Sequence, residues 1–300
     1  MENQSVHHSV TSEDIQALSP TGKKLAGVLT ELLTNKSFDV PMLPDVASQV
    51  LSLSNDPDSD AAQLAKLIQG DQALSAHVMR IANSAAYTPN ASMVSLQQAI
   101  ARLGMSLITE IALAASINSK MFKAPQFAKR LSAIWDHALA TAHWGKEVAR
   151  ISKKNVEASF LCGLLHSIGR PVVLQALSEQ LTKNAETITQ EEAFILEQYF
   201  HVDFGRIIVD NWKMPHIVQE SVVFYQQYQD AKQYRDQAAV IHAASLLAWD
   251  TLVCKAQGVC EIEQVLAADV FADLNLYADE IEVLKAQNEK VIAGMEAMRQ

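Results

Sequence analysis

The chain has 300 residues, of which 49% are hydrophobic and 19% are charged. This composition excludes a disordered protein and is typical of a globular one that buries a sizeable core. Lys and Arg number 24 against 34 Asp and Glu, which gives a formal net charge of -10. Because an acidic surface repels phosphate backbones, we expect no nucleic-acid partner.

The cysteines and the N-terminus indicate the compartment. Three cysteines are an odd and sparse set, so Cys162, Cys254 and Cys260 are predicted to be reduced thiols. The N-terminus has no basic region followed by an apolar run, so no signal peptide is expected. We expect no stretch to reach the apolar length that a spanning helix requires. We therefore expect a cytoplasmic protein with no membrane partner.

In the first half of the chain, polar caps and apolar spacing predict a series of short helices. Ser59 or Asp60 is suited to cap one helix, and Asp71 is suited to cap the next. A capped amphipathic helix follows, and Gly104 closes it. Apolar residues that step by three and four predict one helix face, formed by Leu96, Ile100, Leu103, Leu107, Ile111 and Ala114.

The second half is also predicted to be helical. Thr189 and Glu192 have the spacing of a capping box, which predicts a helix from there to about Phe200. The tail from Val259 onward is more acidic, and its apolar seam contains one polar residue, Asn288. This seam favours a terminal helix packed on its own body, or alternatively a dimer contact in which the asparagine sets the register.

Strand-like alternation is scarce, so the predicted fold class is all-α, with two packed helical subdomains. The segment Phe122-Lys123-Ala124-Pro125 is the most natural division between them. We expect four segments, namely an N-terminal helical extension over 1–34, a first subdomain over 35–122, a second over 123–255 and a helical tail over 256–300.

One apolar stretch, FLCGLLHSIG over residues 160–169, is predicted to be a helix that ends in a histidine, an isoleucine and a helix-stopping glycine. It resembles the central signature of the HD superfamily of metal-dependent phosphohydrolases, in which an aspartate follows the histidine. Here Ser167 stands at the aspartate position. A serine hydroxyl supplies neither the negative charge nor the carboxylate oxygen that a divalent cation prefers.

Four upstream phrases narrow the resemblance. Their order and spacing are similar to those of the HDOD family, bacterial HD-related output domains that occur alone or attached to signalling modules. The resemblance covers roughly residues 35 to 250 and implies that the second subdomain is an HD/phosphodiesterase-like helical bundle. The phrases are Leu43–Ala47, Asp71–Leu74, Arg80–Ala85 and Val94–Gly104.

The resemblance also implies a set of metal-site positions. His137 matches the first histidine, His166 and Ser167 match the His-Asp pair, and Ser245 matches the final aspartate. A histidine of binuclear relatives falls at His201, and aromatic residues stand where those relatives have paired histidines. The full set is His137, His166, Ser167, His201, His242 and Ser245, with Phe224 and Tyr225 at the paired-histidine positions.

With both expected carboxylates replaced by serine, the site loses most of its Coulombic attraction for Mg²⁺ or Mn²⁺. We therefore predict a vestigial site with no catalytic residue, no bound metal and no cofactor. If a metal is held, it is Zn²⁺ or Fe²⁺, which accept imidazole, with His137, His166 and His201 as ligands. The cleft where these three and His242 converge is the expected place for any retained ligand.

Each histidine also has a structural interpretation. His166 could satisfy a buried helix terminus, His137 could cap a neighbouring element, and His201 could be exposed in a joint. Cys162 lies four residues before His166 on one helix face, as a thiol–imidazole pair requires, but a cysteine in an apolar stretch is more typical of the core.

The sequence thus predicts a non-catalytic bacterial signal-transduction or regulatory module that acts through protein–protein interaction. The expected partner is a signalling protein, and a homodimer through the C-terminal helix is an alternative. The second hypothesis is a metal-dependent phosphohydrolase with unusual His-rich ligation. A nucleic-acid-associated regulator is the third, and the acidic balance argues against it.

Overall fold

The computed structural model describes residues 10–35, 38, 41–56, 58–88, 93–117, 121–258, 260 and 262–299. All regular structure within these ranges is helical, which confirms the predicted all-α class. The first nine residues of the predicted N-terminal extension lie outside the described residues.

The chain forms two compact units, each assembled from segments that are far apart in sequence. The first unit consists of the described residues within Met1–Pro41, Ser119–Ile134 and Ser167–Pro215. The second consists of those within Met42–Asn118, Trp135–His166 and His216–Gln300. The four consecutive segments expected from the sequence stay a prediction.

The helices of the first unit are α1 (Ser12–Ala17), α2 (Pro20–Asn35), the beginning of α8 (Ala128–Ile151), α10 (Gly169–Asn184) and α11 (Gln190–Asn211). Its core is centred on the long pair α10 and α11, against which α2 packs. A short 3-10 helix over Pro125–Phe127 precedes α8.

The second unit contains the remaining helices. They are α3 (Asp45–Asn55), α4 (Ala61–Gln69), α5 (Gln72–Ala82), α6 (Leu96–Leu103), α7 (Met105–Ser116), the rest of α8, α9 (Val156–Leu165), α12 (His216–Phe224), α13 (Arg235–Gln257), α14 (Ile262–Leu266), α15 (Asp269–Asp273), α16 (Ala278–Lys285) and α17 (Asn288–Arg299). A 3-10 segment over Tyr225–Asp230 joins α12 to α13 and packs on both.

The predicted helix starts are confirmed by their caps. The Asp60 carboxylate accepts a hydrogen bond from Gln63 N at 2.8 Å, and that of Asp71 accepts one from Leu74 N at 3.0 Å. Thr189 and Glu192 form the expected capping box. However, α11 continues to Asn211, so the predicted end near Phe200 is wrong: no proline follows before Pro215, and a glycine alone inside a helix does not stop it.

The predicted single helix face between residues 96 and 114 is also wrong. Gly104 has a φ of 86°, a region that favours glycine, and it divides the segment into α6 and α7. The apolar residues still point inward, with Leu96 and Ile100 buried on α6 and Ile111 buried on α7. A stripe that continues in sequence is thus shared by two helices.

Cys254 and Cys260 are joined by a disulfide, so the prediction of three reduced thiols is wrong for this pair. At the end of α13, Gly258 adopts a φ of 71° and donates its N–H to Cys254 O at 2.8 Å. This turn brings the two cysteine Cα atoms to 4.6 Å, within the range that a disulfide spans. Cys162 is a free, buried thiol.

Two described segments, Val156–Asn184 and Arg235–Gln257, are long and apolar enough to cross a membrane by length and composition. The prediction that no stretch reaches this length is therefore wrong. The apolar windows of these segments are 83% and 67% buried inside the protein, as is usual for the core helices of soluble proteins.

Glycine allows close helix contacts in each unit. In the first unit, a Cβ on Gly169 would lie 2.5 Å from Gly205 N of α11 and closer still to His201 O. In the second unit, a Cβ on Gly163 of α9 would lie 2.6 Å from the Ala142 Cα of α8. Gly169 was expected to stop a helix; it instead begins α10, because α9 has already ended at Leu165.

We expect Gly169→Ala to destabilise the protein by about 1–3 kcal/mol, because the obstructing atoms belong to the α11 backbone and cannot rotate away. Gly27→Ala on α2 is the matched control, since nothing lies within 4 Å of a Cβ there. It should be neutral or stabilising by up to about 1 kcal/mol. Urea unfolding followed by circular dichroism measures both, and equal midpoints for the two variants would contradict the close approach.

The disulfide predicts the labelling of the native protein by a maleimide. Cys162 is buried and the other two cysteines are paired, so no thiol should react before reduction. After mild reduction of the folded protein, two labels should attach, at Cys254 and Cys260. Mass spectrometry counts the labels, and two labels on protein purified aerobically without reductant would show that the pair is not bonded.

Candidate functional site

His137 lies on α8 in the second unit and reaches α13 through its ring. Its Nε2 is 3.1 Å from Ser245 O. A carbonyl oxygen only accepts hydrogen bonds, so Nε2 carries the hydrogen and donates it. Ser245, which stands where the final metal aspartate was expected, therefore accepts a hydrogen bond from His137 at its main-chain carbonyl. Because Ser245 lies in the middle of α13, the bond is not the helix cap that the sequence suggested.

His166 immediately follows α9 and is only 2% exposed. Its Nδ1 donates a hydrogen bond to Gly163 O at 2.6 Å, which satisfies a carbonyl in the last turn of the helix. Its ring centroid lies 5.3 Å from that of His137 and 4.9 Å from that of Tyr225, which it meets edge to face. Such ring contacts are favourable packing interactions.

His242 lies on α13, with its ring centroid 5.5 Å from that of Tyr228. The Tyr228 hydroxyl donates to Asp273 Oδ2 at 2.7 Å. Burial, together with this bond and the negative charge of Asp273, raises the pKa of Tyr228 to about 12. We refer to the five residues His137, His166, Tyr225, Tyr228 and His242 as the histidine–tyrosine cluster. All five side chains are rings, and none is a carboxylate.

Ser167 and His201 belong to the first unit, so the predicted convergence of all four histidines on one cleft stays a prediction. Ser167 is 2% exposed, and its carbonyl accepts from Arg170 N at 3.0 Å in the turn that opens α10. His201 is also 2% exposed, and its Nδ1 donates to Gln198 O at 2.8 Å. The suggestion that His201 is exposed in a joint is wrong, because α11 extends past it.

The first unit buries a carboxylate between two arginines. Glu197 is fully buried and accepts from Arg130 Nε at 2.8 Å and Nη2 at 2.7 Å, a bidentate arrangement. Arg170 Nη1 donates to the same Glu197 carboxylate at 2.8 Å. Burial alone would raise the pKa of Glu197, but hydrogen bonds from Arg130 and the charges of both guanidinium groups hold it below its usual value.

The same two guanidinium groups affect His201. Burial is the main reason that the pKa of His201 lies well below its usual value, and the positive charges of Arg170 and Arg130 lower it further. The imidazole is therefore neutral in the folded protein throughout the physiological range. Neutrality suits a metal ligand, but it also suits a buried ring that only donates to a helix carbonyl.

Within the described ranges, no group of three or more His, Cys, Asp or Glu side chains is placed to hold a metal ion. The Asp136 side chain leaves α8 about a hundred degrees around the helix from that of its neighbour His137. Its Oδ2 pairs with Arg299 Nη2 at 2.8 Å. In the histidine–tyrosine cluster the available metal donors are imidazole nitrogens. None of the five cluster residues is itself a carboxylate that could serve as the base for a metal-bound water.

Cys162 belongs to the core. It is completely buried, and its thiol faces Ile217 O at 3.8 Å. Burial raises the pKa of this thiol to about 12, so the thiolate needed for a thiol–imidazole nucleophile does not form near neutral pH. Of the two interpretations of Cys162, the core residue is the one that these contacts favour.

The HDOD domain model matches residues 40–228 of the chain. This is more than half of its length, so the chain belongs to the HDOD family. A curated uncharacterised protein of Treponema pallidum (strain Nichols) is 22% identical over 232 residues, which cover 75% of this chain. The chain spans only 44% of the length of that relative.

Solved structures show the same fold at low identity. An HDOD domain protein of unknown function from Geobacter sulfurreducens has a TM-score of 0.70 at 17% identity, covering 92% of this chain and 97% of that one. A candidate signal transduction protein from Marinobacter aquaeolei VT8 has a TM-score of 0.66 at 18% identity, covering 93% and 66%. A candidate metal-dependent phosphohydrolase from Shewanella amazonensis SB2B has a TM-score of 0.61 at 23% identity, covering 90% and 100%.

Sequence reasoning missed two features of these surroundings. Tyr228 has no special signal beyond its place three residues after Tyr225, so its contact with His242 was not anticipated. Glu197 was also missed, although Arg170, next to the signature glycine, is a cue for a buried anion. The other cation, Arg130, is 67 residues from Glu197 in sequence, too far for any local pattern to indicate the pair.

His201 makes folding stability depend on pH. Its pKa is lowered in the folded state, so protons bind the unfolded chain first as pH falls below about 6.5. The stabilisation is fully present above that pH and is lost at lower pH, by about 1.4 kcal/mol per pH unit. His201→Leu should reduce the slope of the unfolding free energy, measured by urea unfolding between neutral and mildly acidic pH, by up to this amount; burial also lowers the pKa of His143, to about 3, and its contribution should remain.

His216→Leu is the control for this measurement, because that side chain is exposed in the folded protein. It should leave the pH dependence of the unfolding free energy as it is in the wild type. A His201→Leu protein with the wild-type slope would contradict burial of a neutral imidazole at this position.

Proposed function

We propose that the protein is a non-catalytic bacterial signal-transduction or regulatory module that acts through protein–protein interaction and carries a degenerate HD metal site. The observation that carries this proposal is the set of contacts that the histidine rings make. His137, His166 and His201 each donate a ring hydrogen to a main-chain carbonyl, and His166 also packs against Tyr225. These contacts are those of structural side chains.

The two serine positions support the same proposal. Neither Ser167 nor Ser245 supplies a negative charge, so a divalent cation would have to be held without the carboxylates that neutralise it. Hydrolysis of a phosphoester further needs a base for the attacking water, and none of the five residues of the histidine–tyrosine cluster is a carboxylate. Similarity to a candidate signal transduction protein from Marinobacter aquaeolei VT8 agrees with a regulatory role.

The alternative is a metal-dependent phosphohydrolase with His-rich ligation. One contact favours it: the Nδ1–H of His166 bonds to Gly163 O, which is how metal-binding histidines are commonly oriented, with Nε2 directed to the metal. The fold similarity to a candidate phosphohydrolase from Shewanella amazonensis SB2B also belongs to this alternative. Zn²⁺ or Fe²⁺ would be the metals of such a site.

The proposed partner is a signalling protein. A net charge of -10 favours a protein partner over nucleic acid, because phosphate backbones would be repelled. Contact between two copies through the C-terminal helix remains a prediction. Val291, Met295 and Met298 of that helix are buried in their own unit, so such a dimer would need an exposed face or an exchange of helices.

The two functions are separated by metal analysis of untagged protein purified without chelator. We expect inductively coupled plasma mass spectrometry to find far less than one Zn or Fe per chain in the wild type. After incubation with Zn²⁺, Fe²⁺ or Mn²⁺, the protein should hydrolyse neither nucleotides nor cyclic dinucleotides, because none of the five cluster residues is a carboxylate that could activate the water.

Two variants define what would contradict this expectation. A metal content close to one per chain that is lost in His166→Ala but kept in His216→Ala would establish a histidine metal site. Hydrolysis that disappears with that metal would establish the phosphohydrolase instead. Thermal unfolding of His166→Ala, recorded alongside, distinguishes loss of the metal from loss of the fold.

A further inference from the structure

The C-terminal helix α17 lies antiparallel against α8 within the second unit. Lys290 of α17 pairs with Glu147 of α8 at 2.8 Å, and Arg299, nine residues later, pairs with Asp136 at 2.8 Å. Between these pairs, Gly294 lies over the His143 ring. Residue numbers rise along α17 while those of their partners fall along α8. One helix therefore covers a stripe of the other for about two turns.

The stripe of α8 under α17 is acidic at both ends, and α17 supplies the matching charges. Glu147 also pairs with Arg150 of its own helix, so its negative charge is shared between two cations. On the α13 side, Lys255 pairs with Glu296. The ion pairs therefore frame an apolar centre, which contains Val291, Met295 and Met298. Each pair has at least one partly exposed partner and is screened by solvent.

One hydrogen-bonded chain fixes the first residue of α17. Trp144 Nε1 donates to Thr251 Oγ1 at 3.0 Å, and the Thr251 hydroxyl donates to Asn288 Oδ1 at 3.0 Å. This is the asparagine that interrupts the apolar seam of the tail. It sets the register of α17 against α8 and α13 of the same chain, so the tail packs on its own body as the first interpretation of the seam expected.

The centre of the α8–α17 contact is satisfied in part. The His143 ring forms a hydrogen bond with the Gly294 backbone, whereas the buried atoms His143 Nε2 and Asp136 Oδ1 have no hydrogen-bond partner among the described residues. A Cβ on Gly294 would lie 2.6 Å from His143 Cε1, so the helix approaches as closely as glycine permits. Unsatisfied buried polar atoms cost free energy that water returns when they are exposed. Lifting α17 therefore lets water bond to these two atoms, which offsets part of the loss of the His143–Gly294 hydrogen bond and of the Arg299–Asp136 pair.

We propose that α17 is a releasable strap, which detaches from α8 while the rest of the second unit stays folded and thereby uncovers a docking stripe. The stripe consists of Asp136, His143 and Glu147 with the apolar surface between them. The partner that fits it is an amphipathic helix with basic residues near both ends and a glycine over His143. This inference concerns α17 and does not depend on the metal question of the proposed function.

Three observations separate α17 from an ordinary terminal helix. Its ion pairs are at the edge, where water weakens them, and its centre leaves two buried polar atoms unpaired. Its closest contact needs a glycine, which lowers the intrinsic stability of the helix itself. Weak docking of this kind is typical of segments that open locally without global unfolding.

Hydrogen exchange of the full chain, resolved by mass spectrometry, tests the release. Amides of α17 should exchange at least about tenfold faster than those of α8 residues 135–151, because α17 opens alone. Gly294→Ala should speed exchange in α17, since its Cβ meets the His143 ring. His143→Leu should change exchange there by about tenfold and leave the rest of the second unit unchanged, because the His143 ring contacts α17 at Gly294. Gly27→Ala, in the other unit, is the control and should leave α17 unchanged.

Equal exchange rates in α17, α8 and α13 of the wild type would overturn the releasable strap. The same conclusion would follow if His143→Leu and Gly294→Ala shifted exchange equally across the whole second unit, because the helix would then open only with global unfolding. If Gly294→Ala does not fold, His143→Leu and the wild type still decide the question.

The docking stripe is tested with a fluorescent peptide of residues 286–300 added to the full-length protein. The double variant Lys290→Gln and Arg299→Gln loosens the strap in the protein, so the wild-type peptide should bind it at least about tenfold more tightly than it binds the wild-type protein. The same peptide with both basic residues replaced by glutamine should bind more weakly. Failure of the wild-type peptide to bind the double variant, with α17 shown by exchange to be released, would overturn the stripe.

Discussion

Close approach of helix backbones at glycine is the constraint on which both units depend. In one unit α10 can begin against α11 only because Gly169 has no side chain, and in the other α9 can lie on α8 only because Gly163 has none. These two positions flank His166 and Ser167 in sequence. The signature stretch that resembles a metal site is thus needed for packing, and packing preserves such a pattern even where the aspartate is missing.

In the first unit a buried carboxylate is balanced by opposite charge. Glu197, fully buried, is paired with two arginines, and the pKa of its carboxyl is lowered in spite of burial. The histidine–tyrosine cluster is held differently, since His137 and His166 donate to carbonyls and the rings pack on one another. None of its five side chains is a carboxylate that could balance a divalent cation, whereas the carboxylate of Glu197, which pairs with Arg170, is already balanced by two guanidinium groups.

Local signals were readable from the sequence and long-range ones were not. Asp71 and Thr189 were recognised as caps because the cap and its amide lie within one helical turn, and the helical class and the family followed from such patterns. The extension of α11 through His201 was not, because a glycine within a helix and a glycine that ends one look alike. The pairing of Arg130 with Glu197, and of Cys254 with Cys260, depends on where the chain returns in space. Composition alone gave the wrong state for the two cysteines.

Helix α8 carries both His137 and the stripe under the proposed strap. His137 and Trp144, seven residues apart, face α13, where they contact Ser245 and Thr251. Asp136 and His143, also seven residues apart, form the neighbouring stripe under α17, about a hundred degrees around the helix. A partner helix that replaced α17 would therefore act on the same helix that carries the first site histidine. Such an effect of a partner on the surroundings of His137 would not require a metal. It would require only that the two faces of α8 contact different helices.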